Sequence, residues 1–246
     1  MSDAQKRPEH DQPETSQASR DYLKVVYEEG QRPKSGYPDH LAGRLMALAG
    51  LKPGMRLLDA GCGRGEMLAA FARRGLVCEG LDLAEGASCE HPGVVVRQAD
   101  IFGATWPCES ASFDAVFLKS VLEHVMDPTV LLAECARALR AGGALIVLTP
   151  DFASNVPVFY EDPTHVHPYV PKSLRDLFVM HGFTQAQAEL FCHHEAIWEG
   201  GLVKIFADLC WRTLSTPAAR ALAKATGLKL IRWAVERQAL GICRKG

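Results

Sequence analysis

The sequence has 246 residues, 48% of them apolar, with 27 Lys or Arg against 29 Asp or Glu and a formal charge of −2. This length suits one large domain with a well-buried core and is marginal for two. The near-neutral balance carries no global signature of nucleic-acid binding or of intrinsic disorder. The 8 cysteines form no CxxC pair and sit in apolar stretches such as LVCEGLD and LLAECARAL, which reads as reduced thiols rather than a disulfide framework.

Residues 1–19 contain no apolar run of signal-peptide type and are expected to form a disordered tail. No later apolar run approaches membrane-spanning length, so the expectation is a soluble, cytoplasmic protein. Helical spacing of apolar residues then appears in DYLKVVYEE and PDHLAGRLMALAGL, and KPG ends the second helix. MRLLDA reads as a strand, EMLAAFARRG as a helix, and LVCEGLDL and VVVRQAD as strands. FDAVFLKS is a strand, PTVLLAECARALR a helix and GGALIVLTP a strand. PKSLRDLFVMHGF predicts a helix closing at Gly182, followed by a strand from Phe183. The last forty residues hold one or two helices and a final strand at QALGICR.

This alternation predicts an α/β fold with a doubly wound, mainly parallel sheet and helices on both faces. Ligands of such sheets gather at the C-terminal ends of the strands, where strand order reverses. The segment LLDAGCGRGEMLAAF runs from strand through a glycine turn into a helix, an arrangement that aims backbone N–H groups at a ligand. Gly61, Gly63 and Gly65 are spaced G-x-G-x-G, with Asp59 at the strand end and Glu66 opening the helix. Two carboxylates there would repel a pyrophosphate and suit an ammonium or sulfonium. The competing reading has Asp59 capping the loop through its backbone N–H groups.

The next strand ends in Asp82, placed to accept the hydroxyls of a ribose. The third ends in Asp100, followed by Ile101 and Phe102, an acid and apolar pair suited to an adenine amine and its flat ring. Each aspartate alone could be an ordinary strand-end residue in a solvated turn. Together, LLDAGCGRGEM, GLDL, QADIF and FDAVFLKSVLEHVMDPTVLLAECARALRAGGALIVLTP resemble the class I S-adenosylmethionine-dependent methyltransferases over about residues 50–190.

The resemblance implies a seven-stranded Rossmann-like sheet with one antiparallel strand near the C-terminus, and S-adenosyl-L-methionine as cofactor. It places Asp59, Gly61, Cys62 and Gly63 at the methionine moiety, Asp82 and Leu83 at the ribose, and Asp100 and Ile101 at the adenine. Lys119, Ser120 and Val121 would line the reactive end. Length and the lack of a dividing linker, together with the resemblance, give one methyltransferase domain over 20–246, with N-terminal helices over 20–50, a cofactor-binding half over 51–150 and an acceptor side over 151–246.

Methyl transfer gains much from alignment alone, but a hydroxyl acceptor benefits from a base, and histidine has a suitable pKa. Four candidates fall near the expected active face: Glu123, His124, His165 and His167. Glu123 and His124 lie in KSVLEHV, common in the family across unrelated acceptors, where they serve equally well to fix local backbone. Small-RNA 2′-O-methyltransferases and some quinone-pathway O-methyltransferases carry E-x-x-E-H at this point and bind a divalent metal with it. Here Ser120 replaces the first acid, although His165 or His167 could approach from the loop after the fifth strand, so the metal question stays open.

That loop, Asp151 to Val170, contains YEDPTHVHPY and is long for a connection within a compact sheet, which favours a functional role. Its Asp, Pro and His residues could also simply brace its turns. From Leu202 onward there are nine Lys or Arg against Asp208 and Glu236. Peripheral contact with anionic lipid is one reading of this segment and a solvated covering helix the favoured one. The expected function is O-methylation of a small-molecule or glycan or lipid-linked acceptor, with no nucleic-acid partner. N-methylation, a non-catalytic cofactor-binding relative and a nicotinamide-dependent oxidoreductase are the alternatives.

Overall fold

The computed structural model describes residues 36–103 and 105–246. The expected tail and the helix read over DYLKVVYEE lie outside them. Seven strands form one sheet in the order β3-β2-β1-β4-β5-β7-β6. They are β1 (Arg56–Ala60), β2 (Val77–Asp82), β3 (Val95–Gln98), β4 (Phe113–Lys119), β5 (Leu139–Pro150), β6 (Phe183–Phe191) and β7 (Gln238–Lys245). Strands β1 to β5 pair in parallel, and β7 runs antiparallel between β5 and β6. The expected α/β class, the mainly parallel seven-stranded sheet and the antiparallel C-terminal strand are all present.

Central strands read as continuous apolar runs because both faces are covered. On one face, α1 (Tyr37–Ala49) and α2 (Glu66–Arg73) pack Leu41, Leu45, Leu68 and Phe71 onto Phe117, Ile146 and Leu148. On the other, α3 (Thr129–Ala138) and α5 (Pro171–Met180) pack Leu131, Leu132, Leu174 and Phe178 onto Val116, Leu118 and Val147. The edge strand β3 departs from the continuous pattern, with most of its residues exposed, because it has a neighbour on one side only.

Two element boundaries correct the sequence reading. The helix over PTVLLAECARALR stops at Ala138, since Leu139 adopts an extended backbone (φ −69°, ψ 139°) and already pairs with Phe113. The C-terminal segment holds more helices than the one or two expected: α7 (Gly201–Thr213), α8 (Thr216–Thr226) and α9 (Lys229–Val235), preceded by the single turn α6 (Glu195–Trp198). Ser215 caps α8 by accepting from the Ala218 N–H, and Gly227 ends it at φ 72°. These breaks fold the segment back on itself around a small cluster of Ile197, Ala207, Cys210, Ala219, Ala223 and Ile231.

The loop after β5 is ordered by backbone and side-chain bonds. Asp151 caps α4 (Phe152–Asn155) through the Ser154 N–H at 2.8 Å and its hydroxyl at 2.6 Å. Asn155 donates to the carbonyls of Asp151 and Arg237, both at 2.8 Å. Phe152 donates to the Tyr169 carbonyl at 2.7 Å, and the Val166 and His167 amides donate to the Glu123 carbonyl at 2.9 and 3.0 Å. The loop is thereby fastened across the end of β4, directly over the turn that carries Glu123 and His124.

Candidate active site

A cavity of about 350 Å³ opens at the C-terminal ends of β1, β2 and β4, where strand order reverses. The glycine turn forms its floor. Gly61, Gly63 and Gly65 have φ of 86°, 52° and 68°, conformations that glycine adopts without steric cost. A Cβ on Gly61 would also overlap Val121 Cγ2, and one on Gly65 would run into the Ser88 carbonyl.

The amides of Gly61 and Cys62 donate to the Leu81 carbonyl at 2.7 and 3.1 Å. The Gly63 amide donates to the Asp82 carboxylate at 2.7 Å. Asp82, not Asp59, therefore braces the loop, and these three donors are already engaged by protein acceptors, which disfavours a phosphate cradle. Asp59 makes no hydrogen bond or ion pair among the described residues and lines the cavity at 2% exposure. Burial first, then the neighbouring Asp82, pushes its pKa up to about 8, with Lys119 opposing. Such a carboxyl gains from a cationic ligand group that restores its charge.

Asp82 keeps acceptor capacity while its second oxygen takes the Ala84 N–H at 2.9 Å. Leu83, Ile101 and Phe102 continue the wall as an apolar slot. Asp100 is exposed and absent from the lining, with its carboxylate turned to the Phe102 and Gly103 amides at 2.9 and 3.2 Å. It thus takes the turn-bracing role that the sequence left open. Cys62 lines the cavity, but burial and the acids Asp59 and Asp82 raise its thiol pKa, so it is not a nucleophile.

Lys119, Ser120 and Val121 form the side toward β4. Ser120 has φ 54°, a left-handed conformation uncommon outside glycine, held by its amide bond to the Leu148 carbonyl at 2.8 Å. Lys119 also depresses His193, which burial first pushes down to about 3. That neutral imidazole meets the Tyr37 hydroxyl at 3.1 Å.

The mouth is made by His124 and Thr164. His124 Nδ1 lies 2.9 Å from Thr164 Oγ1 and 3.2 Å from its carbonyl. Thr164 Oγ1 itself donates to Asp162, so the network assigns the proton to His124 Nδ1 and the basic lone pair to Nε2. Burial, then His165, lowers the His124 pKa. His165 Nδ1 lies 2.7 Å from the Phe159 carbonyl, which likewise leaves its Nε2 as the basic nitrogen. The two rings are 4.9 Å apart.

Behind them Glu123 is fully buried. One carboxyl oxygen accepts from the Thr149 hydroxyl at 2.8 Å, and Oε1 has no partner. Burial raises its pKa to about 7. Glu123, His124 and His165 each offer a ligand atom within 4.8 Å of the others. His167 stands apart, stacked on Tyr169 at 4.5 Å and outside both the cluster and the cavity wall. Sequence reasoning missed Thr164 and Phe117; Phe117 was findable as the residue sharing a face of β4 with Lys119.

A family model described as a methyltransferase domain matches residues 34–188. A "Ubiquinone biosynthesis O-methyltransferase" of Paracidovorax citrulli is 36% identical over 111 residues, covering 41% of this chain and 46% of that protein. A "Probable S-adenosylmethionine-dependent methyltransferase" of Mycolicibacterium smegmatis is 36% identical over 105 residues, covering 40% and 39%. The chain spans less than half the length of these curated relatives. Among solved structures, a SAM-dependent methyltransferase from Archaeoglobus fulgidus superposes with TM-score 0.61 at 24% identity, over 90% of this chain and 99% of that one. That likeness carries the fold.

Proposed function

The chain belongs to the methyltransferase-domain family, and from that premise we propose that it uses S-adenosyl-L-methionine to methylate an oxygen of a small-molecule acceptor at the mouth formed by His124 and Thr164. The observation that carries this reading is one cavity with an unpartnered buried carboxyl on its inner wall and an oriented neutral histidine at its opening.

The cofactor supplies an electrophilic methyl group on sulfur. Asp59 would ionise against the amino-acid ammonium, Asp82 would accept hydrogen bonds from the ribose hydroxyls, and Leu83, Ile101 and Phe102 would hold the base. Gly61, lacking a Cβ, lets the ligand pass close to the loop. His124 Nε2 takes the acceptor's proton as the new bond forms, while Thr164 holds the Nδ1 proton and fixes the ring. The lowered His124 pKa keeps the base form populated at neutral pH, at the cost of some basicity. The O-methyltransferase names among the relatives favour oxygen over nitrogen.

A second reading has its own observation. The orphaned Glu123 Oε1, with His124 and His165 each donating Nδ1 to a backbone carbonyl, fits a divalent cation. Those three residues would hold it, and it would acidify an acceptor hydroxyl.

The test is release of S-adenosylhomocysteine across a panel of phenols, catechols, alcohols and amines, with and without chelator. Turnover of hydroxyl acceptors that survives chelation supports the base. Loss on chelation and recovery with added divalent metal supports the cation. Turnover confined to amines contradicts oxygen transfer.

A further inference from the structure

Helix α7 has two apolar faces. Val203, Ala207 and Cys210 turn toward the small cluster it shares with α8 and α9. Leu202, Ile205, Phe206 and Leu209 follow the i, i+3, i+4, i+7 spacing of a single stripe and are 84, 66, 43 and 58% exposed. A covering helix would present charge on that side. Isolated exposed apolar residues are ordinary, but a continuous row of four large ones marks an interaction surface.

The surrounding charge selects the partner. Lys204, Arg220, Arg232 and Arg237 are paired with Asp208, Glu161 or Glu236. Arg212, Lys224 and Lys229 are exposed and form no ion pair among the described residues. Arg212 follows Leu209 by three positions, which puts it beside the stripe. A symmetric contact between two copies through this face would bring two strongly basic segments together and repel. An apolar stripe with an unpaired cation beside it, on a segment carrying nine Lys or Arg against two acids from Leu202 onward, matches a surface with a hydrocarbon layer under anionic head groups.

We propose that the outer face of α7, with Arg212 beside its stripe and with Lys224 and Lys229 on the two helices that follow, docks on an anionic membrane surface. The helix lies in the interface plane. At 13 residues it is too short to span a bilayer, and no helix among the described residues is long and apolar enough to cross one. The segment carrying it leaves the C-terminal end of β6, which runs in the same direction as β5, so it starts at the same end of the sheet as the cavity mouth, and docking would present that end to the lipid.

The experiment is co-sedimentation of the full chain with vesicles of phosphatidylcholine alone or of equimolar phosphatidylcholine and phosphatidylglycerol. Wild type should bind the anionic vesicles and release as salt is raised. A variant carrying Ile205→Glu and Leu209→Glu should lose about tenfold or more of that binding. Both residues are exposed, so its melting midpoint and S-adenosylhomocysteine affinity should match wild type. Equal binding by wild type and variant, or no binding by wild type, overturns the proposal. So does a wild-type dimer that the variant dissolves and that ignores both vesicles, which would make the stripe an interface between copies.

Discussion

Asp59 sits at 2% exposure without a hydrogen-bonded partner, and its pKa is raised to about 8. Raised above the ordinary carboxyl value, it contributes stability that is complete below about pH 4 and is lost as pH rises through about 8. Asp59→Asn removes that loss, so the variant without ligand should melt higher than wild type near pH 8, with the advantage shrinking as pH falls toward about 4. Scanning fluorimetry across that range checks this converging pattern. The same substitution should weaken cofactor binding about tenfold or more, since the ammonium loses its counter-charge. His124 sits at the other end of the cavity. His124→Gln should leave cofactor affinity intact and lower kcat about 10²- to 10⁴-fold. The acid limb of the wild-type kcat profile should fall below the ordinary histidine pKa, because burial lowers that of His124.

The glycine turn and the loop after β5 are the two segments whose backbone makes the site. Gly61 combines φ 86° with a close approach to Val121. Gly61→Ala should cost about 1–3 kcal/mol of stability and abolish measurable cofactor binding, read by melting and calorimetry. Asn155 ties the loop to the residue before β7 by donating to the buried carbonyls of Asp151 and Arg237. Asn155→Leu should destabilise by about 1–3 kcal/mol by withdrawing that donor from both, the Arg237 carbonyl keeping only the Asp151 N–H, and should reduce kcat by loosening Thr164 against His124. The glycine turn was legible in the sequence because strand, turn and helix follow one another within a dozen residues. The loop's importance was legible from its length and aromatic content, but its fastening to Glu123, Arg237 and Thr216 joins distant parts of the chain. No local pattern records such pairs.

Over the whole molecule, the mainly parallel sheet, the ligand face at the strand ends and the acids Asp59 and Asp82 follow from apolar runs and their terminal residues. Where the sequence reading diverged, either a local turn or long-range packing decided. Asp100 closes its own turn instead of facing the cavity. His165 rather than His167 joins His124, since the His167 ring is taken up in a stack on Tyr169. The Tyr37–His193 pair spans 156 residues and had no local signature. The C-terminal segment was read as a basic covering helix; its breaks at Ser215 and Gly227 fold it into three helices and leave the α7 stripe outward.

The joint role of cavity and mouth is tested most directly by supplying S-adenosylmethionine labelled in its methyl group to wild type and His124→Gln with a catechol or phenol acceptor, with cofactor affinity measured in parallel. The expected result is a labelled methyl ether from wild type, its rate falling at least about 10²-fold in the variant at unchanged cofactor affinity. Tight cofactor binding by both proteins with no labelled ether from wild type, or equal rates from the two, would contradict it.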